Sequence, residues 1–216
     1  MNSDKEISNV IPASRPVLLN TPNLITLTRF ALSIVVFSLM SYEYFYGAFW
    51  AFIIAASTDW IDGYIARSTG QVTQLGRILD PFCDKIIICG TYILVSTYTA
   101  TKFAGSWHLI TGWMAVVVVG RELLVTVLRG YIEQHGGDFS ANMAGKLKMV
   151  FQCVAVGGCL LVFALQQSQE PFAVAIDWIT GVAVWIALIS TVYSGVVYIF
   201  AAMKMLKEFD ESSHHS

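Results

Sequence analysis

The sequence predicts an all-α integral membrane protein, a six-transmembrane-helix bundle with its active site in the cytoplasmic leaflet. Three observations carry that expectation. Hydrophobic residues fill 56% of the 216 positions, and mean hydropathy is +0.62. Charged residues make up only 13%, against about a quarter in a soluble domain. Apolar runs long enough for a helix to cross a bilayer, about 20 residues each, recur along the chain. With a net charge of −2, no nucleic-acid partner is expected.

The expected spans are 23–42, 47–67, 76–100, 107–132, 142–166 and 175–203. The first opens on Thr21-Pro22, a hydroxyl cap followed by proline at the first helical position, where its missing N–H costs nothing. The second and third flank the polar stretch STGQVTQL, short enough to keep them adjacent and antiparallel. The fourth contains GRELLVTVLRGY, the fifth opens with GKLK, and the sixth runs into the polar KMLKEFDESSHHS. Residues 1–20 form a polar N-terminal segment whose apolar periodicity is too weak to require a surface helix. Residues 21–205 form the six-helix domain, and 206–216 a polar C-terminal tail. No signal peptide is expected, because no cleavage site follows a short apolar run, and no internal repeat is visible.

Orientation follows from lysine and arginine. With the N-terminus inside, Lys5, Arg15, Arg29, Arg67, Arg77, Lys85, Arg121, Arg129, Lys146, Lys148, Lys204 and Lys207 fall on the inner side, and Lys102 alone on the outer. Both termini are therefore expected in the cytoplasm. The cysteines, Cys83, Cys89, Cys153 and Cys159, lie in apolar runs without CxxC spacing and read as reduced core residues. His108, His135, His214 and His215 fall in expected loops or the tail, so neither a Ser-His-Asp nor a Cys-His arrangement is available.

Against this apolar background stands DWIDGYIARSTGQVTQLGRILDPFCD, residues 59–84. Asp59 and Asp62 are three apart near the inner end of the second helix, and Gly63, Ala66 and Arg67 continue along about the same face. Asp80 and Asp84 are four apart near the start of the third helix, one turn beyond Gly76. At 1.5 Å per residue Asp59 lies about 12 Å below Arg67, and Asp84 at similar depth, so the four carboxylates are expected to converge in one pocket. Each costs roughly 2.5–3.5 kcal/mol at the centre of a span. Salt bridges to Arg67, Arg77 and Lys85 are the plainer alternative, but they leave the cluster short of neutral. Divalent cations neutralise it better, and an oxygen-only donor set favours Mg²⁺ or Mn²⁺ over zinc. Small residues serve either ligand approach or helix–helix contact; beside two aspartates, Gly63 is read as ligand contact.

The pattern D-x2-D-G-x2-A-R-x8-G-x3-D-x3-D resembles the signature of the CDP-alcohol phosphotransferases, and all eight of its fixed positions are matched. The resemblance extends over about residues 20–205. It implies cleavage of the pyrophosphate of a CDP-linked lipid or alcohol, release of CMP, and transfer of the remaining phosphoryl group to an alcohol. Carried over, it implies that Asp59, Asp62, Asp80 and Asp84 bind two divalent metals, Mg²⁺ or Mn²⁺, with Asp84 doubling as the base. Gly63, Ala66 and Arg67 would lie against the cytidine and its phosphates, with Gly76 a further position of the motif and Thr73 adding a hydroxyl. Asn23, Thr26 and Arg29 resemble the family's N-x2-T-x2-R element near the nucleotide; a polar face packed on other helices is the alternative. The family also implies a homodimer and a bacterial inner membrane.

The acceptor is read from the fourth and fifth helices. Arg121, Arg129, Lys146 and Lys148 bring cations to the cytoplasmic side, which suits an anionic acceptor. Lys148 reads first as a snorkelling, topology-setting lysine. Glu122 is placed to pair with Arg129, whereas Arg121 and Glu122, as chain neighbours, point different ways. Within the family, R-E-x6-R followed by G-K-x-K resembles the branch that joins CDP-diacylglycerol to glycerol 3-phosphate. The implied acceptor clamp is Arg121, Arg129 and Lys146. Inositol phosphate and then serine are the alternative acceptors, and a small ion-coupled transporter is the alternative class.

Overall fold

A computed structural model describes residues 21–69, 74–103, 105–134, 143–169 and 173–213. The regular elements in them are six α-helices: α1 Thr21–Ser41, α2 Phe45–Thr69, α3 Gln74–Lys102, α4 Gly112–Gln134, α5 Met143–Gln167 and α6 Ala173–Ser213. Ten of the twelve helix ends lie within two residues of the ends read from the sequence. The fourth helix starts at Gly112 rather than 107 because the preceding segment folds into turns, with Ser106 N donating to Phe103 O at 2.9 Å and Leu109 N to Ser106 O at 3.1 Å. The sixth continues to Ser213, ten residues past the expected end, through a lysine- and glutamate-bearing stretch of good helix formers.

Each helix buries a stripe at helical spacing. In α1 it is Arg29, Ser33, Val36 and Met40; in α2, Phe45, Ala48, Phe52 and Ala55; in α4, Met114, Val118, Glu122 and Val125. Helix α5 is buried far more broadly, through Gln152, Ala155, Val156, Cys159, Leu160, Val162 and Phe163, because it packs on α2, α3 and α6. Helices α2 and α3 both lie against α1 and against α5. The α1–α3 approach depends on Gly90, where a Cβ would stand 2.3 Å from the Phe37 ring.

The outer surface is as apolar as the core. Val116, Val127 and Ile179 are 72%, 69% and 69% exposed, a cladding that suits acyl chains rather than water. Leu147–Gln167 and Ala173–Lys207 are long and apolar enough to cross a membrane, and Leu27–Ser41 and Phe45–Thr58 are shorter apolar stretches. None of the four cysteines is in a disulfide.

One end of the bundle is aromatic. Phe45 at the start of α2 meets Tyr98 near the end of α3 edge-on at 5.2 Å, and Phe103 stacks on Phe163 at 4.8 Å. Trp107, Trp113 and Trp178 stand exposed around it, as interfacial aromatics do. The α1–α2 turn closes here with Glu43 in the left-handed region, φ 57°, and Glu43 pairs with Lys102 at 3.1 Å. The opposite end therefore takes the end of α2, the start of α3, the end of α4 and the start of α5.

Candidate active site

That opposite end carries the aspartates. Asp59 and Asp62 fall in the second half of α2, Asp80 and Asp84 in the first half of α3, and residues 70–73 alone separate the two helices. Thr73 lies outside the described residues, as do the side-chain surroundings of the four aspartates and of Asn23, Thr26, Gly63, Ala66, Arg67, Gly76 and Lys146. Four carboxylate positions at the joined ends of two helices suit a hard divalent cation. Among the described residues no group of three or more His, Cys, Asp or Glu comes together.

One residue beyond Asp84, Lys85 lines a cavity of about 220 Å³. Its other walls are Arg121, Glu122, Val125, Thr126 and Arg129 from α4, Gly145 and Met149 from α5, and Tyr198 from α6. Arg121 and Arg129, eight residues apart in the chain, thus face one space together with Lys85. Lys146 follows Gly145 in the chain. Among the described residues, Nε of Arg121 and Nε of Arg129 are buried without a hydrogen-bond partner. A buried donor left unpaired costs about 1–3 kcal/mol, so both point to a site that binds an acceptor of hydrogen bonds.

Arg121 is held from three sides. Its guanidinium lies 5.4 Å from the centroid of the Tyr198 ring, a cation–π distance. Nη2 donates to Ser194 Oγ at 3.0 Å, and Nη1 lies 3.4 Å from Glu122 Oε1. Helix α6 comes this close because residue 195 is glycine; a Cβ there would stand 3.1 Å from Arg121 Cγ. Ser194 Oγ in turn donates to Thr191 O at 3.0 Å.

Glu122 does not pair with Arg129. Seven residues of helix separate them by roughly 10 Å along the axis, too far for this pair once a nearer cation exists. That cation is Lys148 of α5, whose Nζ donates to Glu122 Oε1. The same oxygen takes Gln152 Nε2 at 3.4 Å, and Gln152 also donates to Thr191 Oγ1 at 3.0 Å. Lys148 is therefore no snorkelling lysine: it is only 5% exposed and paired inside the bundle. Arg121 and Glu122, though chain neighbours, also reach each other, because the long guanidinium arm bends back across its own helix.

Tyr198, Ser194 and Gln152 are site-bordering residues that the sequence did not single out, and Lys85 was read there only as a salt-bridge partner for the aspartates. A signal for α6 was present: Thr191, Ser194 and Tyr198 recur at three- and four-residue spacing on an otherwise apolar helix, the mark of one polar face.

A helical bundle with a DxxDG…AR…G…DxxxD run at one end and a cationic cavity beside it defines a class. A model of the CDP-alcohol phosphatidyltransferase family matches residues 19–193, and the chain belongs to that family of transferases, as an integral membrane protein. The similarity continues to individual proteins. A Bacillus subtilis protein named CDP-diacylglycerol–glycerol-3-phosphate 3-phosphatidyltransferase is 32% identical over 205 residues, 88% of this chain and 98% of its own. Proteins of the same name are 32% identical over 198 residues in Pectobacterium atrosepticum, again 88% and 98%, and 36% identical over 144 residues in Wigglesworthia glossinidia brevipalpis, 64% and 75%.

Proposed function

We propose that the protein transfers the phosphatidyl group of CDP-diacylglycerol to sn-glycerol 3-phosphate, giving phosphatidylglycerophosphate and CMP. The observation that carries this reading is the cavity where Lys85, Arg121 and Arg129 meet, one residue along α3 from Asp84. Three cations around about 220 Å³ suit a small phosphorylated acceptor. The names of the similar proteins supply the particular acceptor.

Arg121, Arg129 and Lys146 hold the acceptor's phosphate, with Lys85 closing the fourth side. Asp84 takes the proton from the acceptor's hydroxyl. That oxygen then attacks the phosphatidyl phosphorus as the phosphorus–oxygen bond to CMP breaks, with no covalent enzyme intermediate. Asn23, Thr26, Gly63, Ala66, Arg67, Thr73 and Gly76 hold the CDP portion. Asp59, Asp62, Asp80 and Asp84 hold two divalent cations, Mg²⁺ or Mn²⁺, which when bound stabilise the charge on the pyrophosphate oxygens. The six helices of 21–205 all span the bilayer of a bacterial inner membrane, as a homodimer with both termini and the active site on the cytoplasmic side. The lysine and arginine asymmetry and the aromatic rim at the other end support that orientation.

The test is CMP release from CDP-diacylglycerol by purified protein with Mg²⁺, offered glycerol 3-phosphate, inositol 1-phosphate, serine or no acceptor. Release should depend on glycerol 3-phosphate. Release with inositol 1-phosphate alone would keep the chemistry and replace the acceptor; no release with any acceptor would remove the reading.

A further inference from the structure

Lys148 lies outside the cavity wall, yet it bears directly on the charge inside it. Glu122 Oε1 is shared by Lys148 Nζ, Arg121 Nη1 and Gln152 Nε2, and Lys148 is the nearest of the three. The carboxylate and the ammonium are both buried, Glu122 to 7% and Lys148 to 5% exposure, so neither is screened by water or salt to any extent. A buried carboxylate must be paired. Without Lys148, the cation left within reach among the described residues is Arg121, which already stands 3.4 Å from the same oxygen.

We infer that Lys148 is a positioning residue for the acceptor site: by occupying Glu122, it leaves the charge of Arg121 available to an anionic acceptor. The inference rests on the proposed acceptor and refines how it is held. Two features of the surroundings fit this role. Arg121 Nη2 donates to Ser194 Oγ at 3.0 Å and its guanidinium lies 5.4 Å from the Tyr198 ring centroid, so two contacts besides Glu122 hold it at the cavity wall. Gln152, buried to 1%, connects Glu122 to Thr191 of α6, which keeps the carboxylate on the Lys148 side. An ion pair buried against the wall thus sets the charge balance of the cavity: with Lys148 on Glu122, Arg121 and Arg129 keep positive charge at its wall.

The experiment is a two-substrate kinetic comparison of the purified full chain with CDP-diacylglycerol and glycerol 3-phosphate. Lys148→Met should raise KM for glycerol 3-phosphate about tenfold, equivalent to one lost charge-assisted hydrogen bond, with KM for CDP-diacylglycerol unchanged. Adding Glu122→Gln should restore the acceptor KM to within about twofold of wild type, since a neutral amide has no claim on Arg121. A double variant as weak as the single one would overturn the inference, because Lys148 would then act on the acceptor itself or only on the fold. Equal rises in both KM values would overturn it as well. If Lys148→Met alone does not fold, the double variant decides: an acceptor KM near wild type supports the role and a tenfold rise refutes it. Wild-type protein inactive with glycerol 3-phosphate would remove the proposed function together with the inference, whereas an active wild type with a failed rescue removes only the latter.

Discussion

The two ends of the bundle each hold ionisable groups at least partly out of water, and they balance them differently. At the aromatic end His108 Nε2 lies 2.9 Å from Asp177 Oδ2, and the imidazole stacks on Trp178 with centroids 5.2 Å apart. One basic group meets one acidic group, and the stack covers them. At the other end Glu122 is answered by Lys148 and Arg121 together, while Lys85 and Arg129 line the same cavity. Cations there outnumber the described carboxylate, and two arginine Nε donors lack partners among the described residues. A balanced pair holds a fold together; an excess of one sign next to a cavity is a place for a ligand of the other sign.

Substitutions can break that contrast, and the largest effect should come from the aspartates. Asp84→Asn should lower transfer by about a thousandfold, within the range for loss of a general base, in protein that still elutes as folded. Chelation should stop CMP release, and Mg²⁺ or Mn²⁺ should restore it; turnover that persists in a chelator would refute the metal role of the four carboxylates. Next in size is Arg129→Ala. Its expected mark is a rise of about tenfold in KM for glycerol 3-phosphate, with a smaller change for CDP-diacylglycerol; equal rises would take Arg129 out of the acceptor clamp.

A finer probe is Gly145→Ala. The new Cβ would come within 2.9 Å of the Tyr198 hydroxyl, which must swing away from the cavity wall. A loss of a few-fold in kcat/KM for the acceptor is expected, and no change would mean that Tyr198 yields freely. The smallest functional effect belongs to the aromatic end. His108→Ala should leave both KM values within about twofold while lowering stability by about 1.5 kcal/mol, the loss of one partly buried charged hydrogen bond, read as a lower Tm in detergent. A selective change in acceptor KM would erase the contrast between the ends.

Much of this protein was legible in its sequence. Apolar run length foretold the helices because each helix satisfies its own backbone, so local composition suffices to place it. Turn geometry was less legible: residues 107–111 read as the start of the fourth span, yet Leu109 N donates to Ser106 O in a turn and the helix begins only at Gly112. The spacing of Asp59, Asp62, Asp80 and Asp84 named the family, since their periodicity on two helices is a local property of the chain.

What only the tertiary structure decided is which groups on different helices meet. Arg121 and Arg129 were candidates from their own helix, but the presence of Lys85 and Tyr198 around the same cavity depends on how α3 and α6 pack. Glu122 illustrates the difference most clearly. Within its own helix its expected partner was Arg129, and in the bundle it is Lys148, 26 residues away along the chain. Sequence spacing determines which side chains share a helix face; the pairing of a buried charge is determined by the lowest-energy partner within reach in three dimensions, which no single helix contains.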